Sequence, residues 1–425
     1  MTIWNRIIFF TIVFGIFFGL QFLVHRTFYK FVRSKYPESK FLKYLSIYPF
    51  IIFNLPFIYI IANGFSSANI PETLYTFVFL PFYIFQGAVV FIGIFLLIGK
   101  ILKAPFSLTY WILNKFESVN KFFNKPEVKK IDYSRRKFIR GTTALVSGYA
   151  FTGATLGVLT SHDYEIVNKE ITIGNLPPEL KGTTITLISD IHSGPYMKEE
   201  MMKEYTDVIN DLKSDFIFIP GDFTNSNKME VHPLVNALSN LKADKGIYGT
   251  LGNHDYFSDA EYVAKVISNE SPVKILRNNS ELLNINGKNI SIIGCDDTRK
   301  SNSDTDTTLM SYYESSMDLA RGQIEKNNLV YEEVPKLVLF HKPYFLEEMA
   351  GKKPDLILSG HTHGGQVVLA SFGDLNISFA GAVSKYISGL YKSGNSQMYI
   401  SRGIGSVALP IRFNCPPEIT KITLV

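Results

Sequence analysis

Three long stretches without a charged residue constrain this chain more than any other feature. They are Ile7–Val24, Tyr44–Pro71 and Thr73–Gly99. Each is long enough to cross a hydrocarbon core, which takes about 20 helical residues. A buried helical core is the alternative, but soluble helices of such length carry a polar face and these do not. Pro49 and Pro56 predict a kink in the second stretch. The only tryptophans, Trp4 and Trp111, flank the region, as interfacial anchors do. No charged residue lies inside the three spans, so an ion-coupled transporter has no obvious carrier group.

Charge gives the orientation. Residues 1–140 carry 18 Lys/Arg against 5 Asp/Glu, and residues 141–425 carry 25 against 33. The net charge of +5 therefore hides a basic first third and an acidic remainder, and no nucleic-acid-binding domain is expected. Arg26, Lys30, Arg33, Lys35, Lys40 and Lys43 separate the first two spans, whereas 62–72 has no Lys or Arg. A basic run from Lys100 to Arg140 follows the third. Positive-inside bias puts the first loop and the 100–140 segment in the cytoplasm and the amino terminus outside.

Gly141–Ser161 is a weaker uncharged stretch, directly after Ser134-Arg135-Arg136-Lys137-Phe138-Ile139-Arg140. The pair resembles a twin-arginine export signal. Read instead as a basic flank on a weak fourth span, it sends the remainder outside equally. If 141–161 does not cross, the remainder stays in the cytoplasm. No small-residue cleavage site follows, so the segment is expected to remain as an anchor. The expected division is a transmembrane module over 1–125 (spans near 7–24, 44–62 and 73–99), a basic linker with the weak span over 126–162, and a globular domain over 163–425.

From about 163 short β-rich runs alternate with polar helical ones, the pattern of layered α/β architecture. The strands Thr184–Ser189, Phe216–Pro220, Gly246–Leu251, Lys336–Phe340 and Asp355–Leu358 each end in a polar cluster. In order these are Asp190-Ile191-His192, Gly221-Asp222, Gly252-Asn253-His254-Asp255, His341, and Gly360-His361-Thr362-His363-Gly364-Gly365-Gln366. Five of the eight histidines sit at these ends. Singly, each cluster reads as a turn or a satisfied side chain. Jointly they place imidazoles, carboxylates and an amide at the sheet edge where α/β proteins bind ligands. Such a donor set suits a divalent cation. Ile290–Cys295 is a further strand, the polar stretch Thr298–Thr308 reads as a surface insertion, and Glu418–Val425 closes a sheet. Cys295 and Cys415 form neither a disulfide framework nor a zinc-finger spacing.

That series resembles the calcineurin-like metallophosphoesterase superfamily. Within it, Gly360–Gln366 and the closing Arg412-Phe413-Asn414-Cys415-Pro416-Pro417-Glu418-Ile419 are similar to the membrane-linked bacterial group of transmembrane proteins with a metallophosphoesterase domain. The resemblance covers roughly 163–425. It implies a four-layer αββα sandwich, here preceded by an all-α transmembrane module, and two divalent ions (Mn, Fe or Zn). It assigns Asp190, His192 and His363 to the first ion and Asn253, His341 and His361 to the second, with Asp222 bridging. His254 would contact the phosphate or leaving group, and Asp255 would orient His254 through a ring-nitrogen hydrogen bond. The implied activity is hydrolysis of a phosphate ester or pyrophosphate by a hydroxide bridging the ions, on an envelope or lipid-linked substrate. The partners expected are that substrate, membrane lipid and a twin-arginine export machinery. The expected location is a multi-pass protein of the cytoplasmic membrane with its catalytic domain outside. Related members hydrolyse the pyrophosphate of UDP-2,3-diacylglucosamine in lipid A synthesis, which needs cytoplasmic access. A catalytically inactive membrane binding protein is the rival of another class, and it predicts lost ligands that this chain retains.

Overall fold

The computed structural model describes residues 3–62, 70–298, 304–372, 375–378, 380–382 and 384–425. The chain divides into two compact units, Met1–Phe65 with Pro71–Val158, and Ser66–Ile70 with Leu159–Val425.

The first unit is helical. Among the described residues four stretches are long and apolar enough to cross a membrane: Thr11–Lys35, Lys40–Ala62, Tyr75–Leu113 and Tyr133–Leu159. The second is not one helix. It breaks into Lys40–Leu45, Tyr48–Ile52 and Leu55–Ala62, with Pro49 and Pro56 each in a first turn, where a missing N–H costs nothing. Its later part, 63–69, lies outside the described residues. Breaks in an apolar medium leave backbone carbonyls that must be satisfied internally. Amides do this here: Asn54 Nδ2 donates to the Phe50 carbonyl (2.5 Å) and Gln86 Nε2 to that of Phe53 (2.6 Å). Gln21, Asn54 and Gln86 also bond to one another, tying three helical stretches together.

The third apolar stretch continues past Gly99 through Lys100, Lys103 and Pro105 as the helix Leu80–Leu113. The expected linker and weak span form one helix, Pro126–Leu159, so Arg135 and Arg136 are helical residues. Nothing in the sequence breaks it: Gly141 is the only helix-weakening residue between the arginines and the apolar run, and one glycine costs only about 1 kcal/mol.

Among the described residues the second unit has fourteen strands. The first five are β1 (Glu165–Ile171), β2 (Thr184–Leu187), β3 (Phe216–Pro220), β4 (Gly246–Thr250) and β5 (Lys274–Ile275). Next come β6 (Asn279–Ile285), β7 (Lys288–Gly294), β8 (Lys336–Leu339) and β9 (Leu356–Ser359). The last are β10 (Val368–Phe372), β11 (Leu375–Ser378), β12 (Gly389–Ser393), β13 (Ser396–Ile400) and β14 (Glu418–Leu424). They form two mixed six-stranded sheets, β1-β14-β2-β3-β4-β5 and β12-β13-β9-β8-β7-β6, with β10 and β11 as a separate hairpin. The expected closing strand β14 lies inside its sheet, parallel to β1 and antiparallel to β2.

Three apolar cores account for four layers. The middle one joins the sheets, with Leu187, Phe216 and Phe218 against Leu337, Leu339, Leu356 and Leu358. Outside the first sheet pack the helices Glu199–Asp211, Val231–Leu238 and Ala260–Glu270, through residues such as Met202, Leu234 and Val263. Outside the second packs Asp304–Lys326, whose Leu309, Tyr313, Met317, Ala320 and Ile324 form one buried stripe at helical spacing. The αββα sandwich expected from the resemblance is therefore present. The polar stretch Thr298–Thr308 is not wholly a loop: 304–308 begin that helix, and 299–303 lie outside the described residues.

Candidate metal centre

Adjacent parallel strands end side by side, and that sets the site. β2, β3 and β4 are neighbours in one sheet, and β8 and β9 in the other. Asp190 and His192 follow β2, Asp222 follows β3, Asn253 and His254 follow β4, His341 follows β8, and His361 and His363 follow β9. Main-chain bonds stitch the loops: His192 N–H donates to the Asp222 carbonyl (3.0 Å) and Gly360 N–H to that of His341 (3.1 Å). Asp190 spans the sheets by accepting from His361 N–H at 2.9 Å.

The backbone is bent hard to do this. Asp190, His192, Asp222, His361 and His363 all have positive φ, between 49° and 73°. Left-handed conformations cost non-glycine residues on the order of 1–3 kcal/mol each and concentrate at functional sites. Two glycines allow the close approaches. A Cβ on Gly252 would overlap the Asp222 carboxylate, and one on Gly360 would overlap that of Asp190.

The ligating atoms converge. Three groups each have donor atoms within 4.8 Å of one another: Asp190, His192 and His363; His192, Asp222 and His254; Asp222, His341 and His361. His192 Nε2 lies 3.1 Å from His363 Nε2, and His361 Nδ1 lies 3.3 Å from His341 Nε2. Two imidazoles on one tetrahedral ion at 2.0–2.1 Å would have nitrogens about 3.3 Å apart. Asp222 Oδ2 lies 3.1 Å from His341 Nε2 and 3.6 Å from His192 Nε2.

Asp255 departs from expectation. Its carboxylate accepts from the N–H groups of Phe223, Thr224 and Gly252 and from the Thr224 hydroxyl. It therefore clamps the β3 and β4 loops together. The ring of His254 is held instead by the Asn225 carbonyl, 2.5 Å from Nδ1, while its N–H donates to Asp222 Oδ1 (2.8 Å). The reason is geometric: Asp255 is the third residue of the helix Asn253–Ser258, from which its carboxylate reaches back to the N-cap N–H of Gly252 and across to the N–H groups of the β3 loop.

Residues 183–365 match the family model of the calcineurin-like phosphoesterases. An uncharacterized metallophosphoesterase of Bacillus subtilis, YkuE, is 30% identical over 298 residues, covering 68% of this chain and 97% of its own. The chain belongs to the calcineurin-like metallophosphoesterases. A zebrafish (Danio rerio) transmembrane protein with metallophosphoesterase domain is 27% identical over 61% of this chain and 57% of its own length. A dimetal phosphatase of known structure, also from Danio rerio, is 10% identical, covering 53% of this chain and 88% of its own at a TM-score of 0.33. As a metallophosphoesterase the chain is a metal-dependent phosphoric ester hydrolase.

The donor set of this metallophosphoesterase fits divalent cations. Burial lowers His192 and His363 to about 3, with the His254 charge adding to the effect on His192, so both rings offer neutral lone pairs. Burial also lowers His361 well below the ordinary histidine value. His341 goes the other way. Burial opposes its protonation, but the Asp222 carboxylate outweighs burial and holds it up to about 10. The Asp222 corner thus stabilises positive charge. Its own carboxyl is lowered well below the usual range, because the His341 and His254 charges overcome a burial penalty of opposite sign. Asn253 Oδ1 is buried with no hydrogen-bond partner, an acceptor awaiting a cation or a donor.

Sequence reading missed the groups behind these ligands. Fully buried Arg412 donates to the carbonyls of Arg402, Gly403 and Gly405, and its Nη2 lies 3.4 Å from His363 Nδ1. His341 Nδ1 lies 2.8 Å from the Pro220 carbonyl, which leaves Nε2 for the site. Buried Lys342 pairs with Asp297 at 2.7 Å. The Arg-Phe-x-Cys-Pro-Pro motif was the one available signal, and no local spacing ties Arg412 to a histidine 49 residues earlier.

Proposed function

We propose that this metallophosphoesterase is a membrane-anchored hydrolase of a lipid-linked or envelope phosphate ester or pyrophosphate. The observation that carries the reading is the convergence of four strand-end loops and one helix start on Asp222. Asp190, His192 and His363 would hold one divalent ion, and Asn253, His341 and His361 the other, with Asp222 shared. Two ions held there would supply Lewis-acid polarisation of the phosphoryl oxygens and a water made acidic enough to react near neutral pH. Asp190 and Asp222 bring only two negative charges to such a pair, so the pocket keeps net positive charge for an anionic phosphate. Asp222 fixes the His254 backbone, and the Asn225 carbonyl fixes its ring, leaving Nε2 to protonate the departing oxygen. The mixed nitrogen and oxygen donors suit Mn, Fe or Zn.

Metal removal tests the core of this reading. Detergent-purified full-length protein supplied with Mn²⁺ should hydrolyse p-nitrophenyl phosphate or its phenyl diester, lose activity after chelation, and regain it with Mn²⁺. Full activity in protein verified metal-free by mass spectrometry would refute the two-ion site.

The proposed location is outside the cytoplasmic membrane, with residues 163–425 as the catalytic domain, 126–162 as basic segment and anchor, and 1–125 as the remaining spans. Support comes from the basic run Lys100–Arg140 and the uncharged Gly141–Ser161 that follows it. An export machinery reading Arg135 and Arg136 would reject lysine, whereas charge bias alone accepts it. A carboxyl-terminal reporter active only outside the membrane should be active in the unmodified protein and silent in R135K/R136K. Activity in both leaves the arginines as a basic flank. Silence in the unmodified protein reverses the topology and brings UDP-2,3-diacylglucosamine pyrophosphate hydrolysis forward as the reaction.

A further inference from the structure

The helical unit contains a cavity of about 990 Å³ bounded by the helices Ile3–Lys35, Tyr48–Ile52, Leu80–Leu113 and Pro126–Leu159. That is at the top of the range for small-molecule sites, roughly 300–1,000 Å³. Its lining is segregated. Lys30, Lys103, Arg135, Arg136 and Arg140 contribute to it, and among the described residues no carboxylate does. Apart from Thr27, Thr143 and Ser147 the remaining wall is apolar, with Val24, Phe50, Phe85, Val89, Ile92 and Phe151 among its residues.

The two kinds of residue occupy opposite ends. Going up the first helix the order is Val24 then Lys30, and up the third Phe85, Val89, Ile92, then Lys103. The last helix runs the other way, Arg140 then Phe151, and Phe151 meets Phe85 with ring centroids 6.4 Å apart. The basic residues therefore gather at one end, with Phe28 and Phe31 beside Lys30, and Phe50, Phe85 and Phe151 lie at the other. Arg140 and Phe151 are three turns apart, about 16 Å of helix, which matches one leaflet of hydrocarbon, about 15 Å.

The polar side chains on the wall do not ask for water. The hydroxyls of Thr27, Thr143 and Ser147 donate to the carbonyls of Leu23, Ile139 and Thr143, one turn back on their own helices. Lys30, Lys103 and Arg140 have no ion-pair partner among the described residues. A largely apolar shaft under a rim of cations complements an amphiphile with a phosphate head and an acyl chain. Basic pockets between membrane helices recognise anionic lipid headgroups in this way.

We propose that the helical unit binds a phospholipid with an anionic phosphate headgroup, its phosphate among Lys30, Lys103 and Arg140 and its chain along Val89, Ile92 and Phe151. Arg135 and Arg136 then belong to the rim of a lipid site, whether or not an export machinery also reads them. The site is built from residues of the helical unit alone, and its occupancy does not depend on hydrolysis.

The test uses full-length protein in detergent and native mass spectrometry. Three probes are compared: dipalmitoyl phosphatidic acid, dipalmitoyl phosphatidylcholine with the same chains, and glycerol 3-phosphate with the head alone. Phosphatidic acid should be retained at one per chain, and each of the others at least about tenfold more weakly. Lys103→Gln with Arg140→Gln should weaken phosphatidic acid retention about tenfold or more, while the remote pair Lys121→Gln with Lys125→Gln leaves it unchanged. Ser147→Trp should abolish retention by filling the shaft. Equal retention of the two lipids would reduce the cavity to ordinary boundary lipid and overturn the proposal. So would unchanged retention in K103Q/R140Q, or glycerol 3-phosphate binding as tightly as the lipid. If S147W fails to fold, the rim pair and the probe series still decide. Metal-dependent hydrolysis of p-nitrophenyl phosphate should persist in K103Q/R140Q, which separates failure at this site from failure at the metal centre.

Discussion

Asp222→Asn should strip metal from both halves of the site and remove nearly all hydrolysis. Asp222 is the carboxylate common to two of the three convergent groups, near His192 on one side and His341 on the other. Asparagine keeps the shape and removes the charge. It also tolerates a left-handed backbone better than most residues, so the φ of +54° at this position does not by itself unfold the variant. What changes is electrostatic: the amide presents no anion and turns N–H toward any cation. Altering the residues that merely support metal ligands costs about 10–100-fold in affinity or activity. Loss of a shared ligand should exceed that range. Metal content measured by plasma mass spectrometry should fall from about two ions per chain to fewer than one, with an unchanged circular dichroism spectrum. Retention of two ions would remove Asp222 from the bridging role.

His254→Ala should do the opposite on metal and nearly the same on rate. The ring is anchored by the Asn225 carbonyl and packs edge-on against His192 (4.6 Å) and Phe257 (5.3 Å). It is half-buried, as is His361, whereas His192, His341 and His363 are buried, so its ring is within reach of a substrate. General acid catalysis contributes about 10²–10⁴-fold, so turnover should drop by that much with two ions still bound. The loss should be greatest for alkyl esters, whose leaving oxygen needs a proton, and least for p-nitrophenyl phosphate. Loss of an ion would make His254 a ligand, a role its distances to His192 and Asp222 also allow. An equal loss for good and poor leaving groups would leave it a binding residue.

The strand-end motifs were readable because each pairs an apolar run with the polar residues directly following it. Parallel strands carry such residues to one edge, so Asp190, Asp222, Asn253, His341 and His361 could be expected together before any contact was known. The helix Asp304–Lys326 was also written in the chain, as the 309-313-317-320-324 stripe, but the polar residues ahead of it masked its start. Asp255 was misjudged because adjacency to His254 suggested a partnership. Its carboxylate instead meets the N–H groups of Gly252, Phe223 and Thr224, while the ring of His254 turns to the Asn225 carbonyl.

Local composition alone determined the apolar spans, the basic flank and the α/β character of the remainder, since hydropathy and strand periodicity are properties of neighbours in the chain. Tertiary structure decided what depends on distant residues meeting. Only it set β14 between β1 and β2, brought Arg412 against His363, and satisfied the broken second span with Gln86. It also turned the twin arginines into one rim of a cavity, because a continuous helix from Pro126 to Leu159 carries them alongside Lys103 and Lys30. Such pairings follow from burial and hydrogen-bond satisfaction across hundreds of residues, and no window of sequence contains both partners.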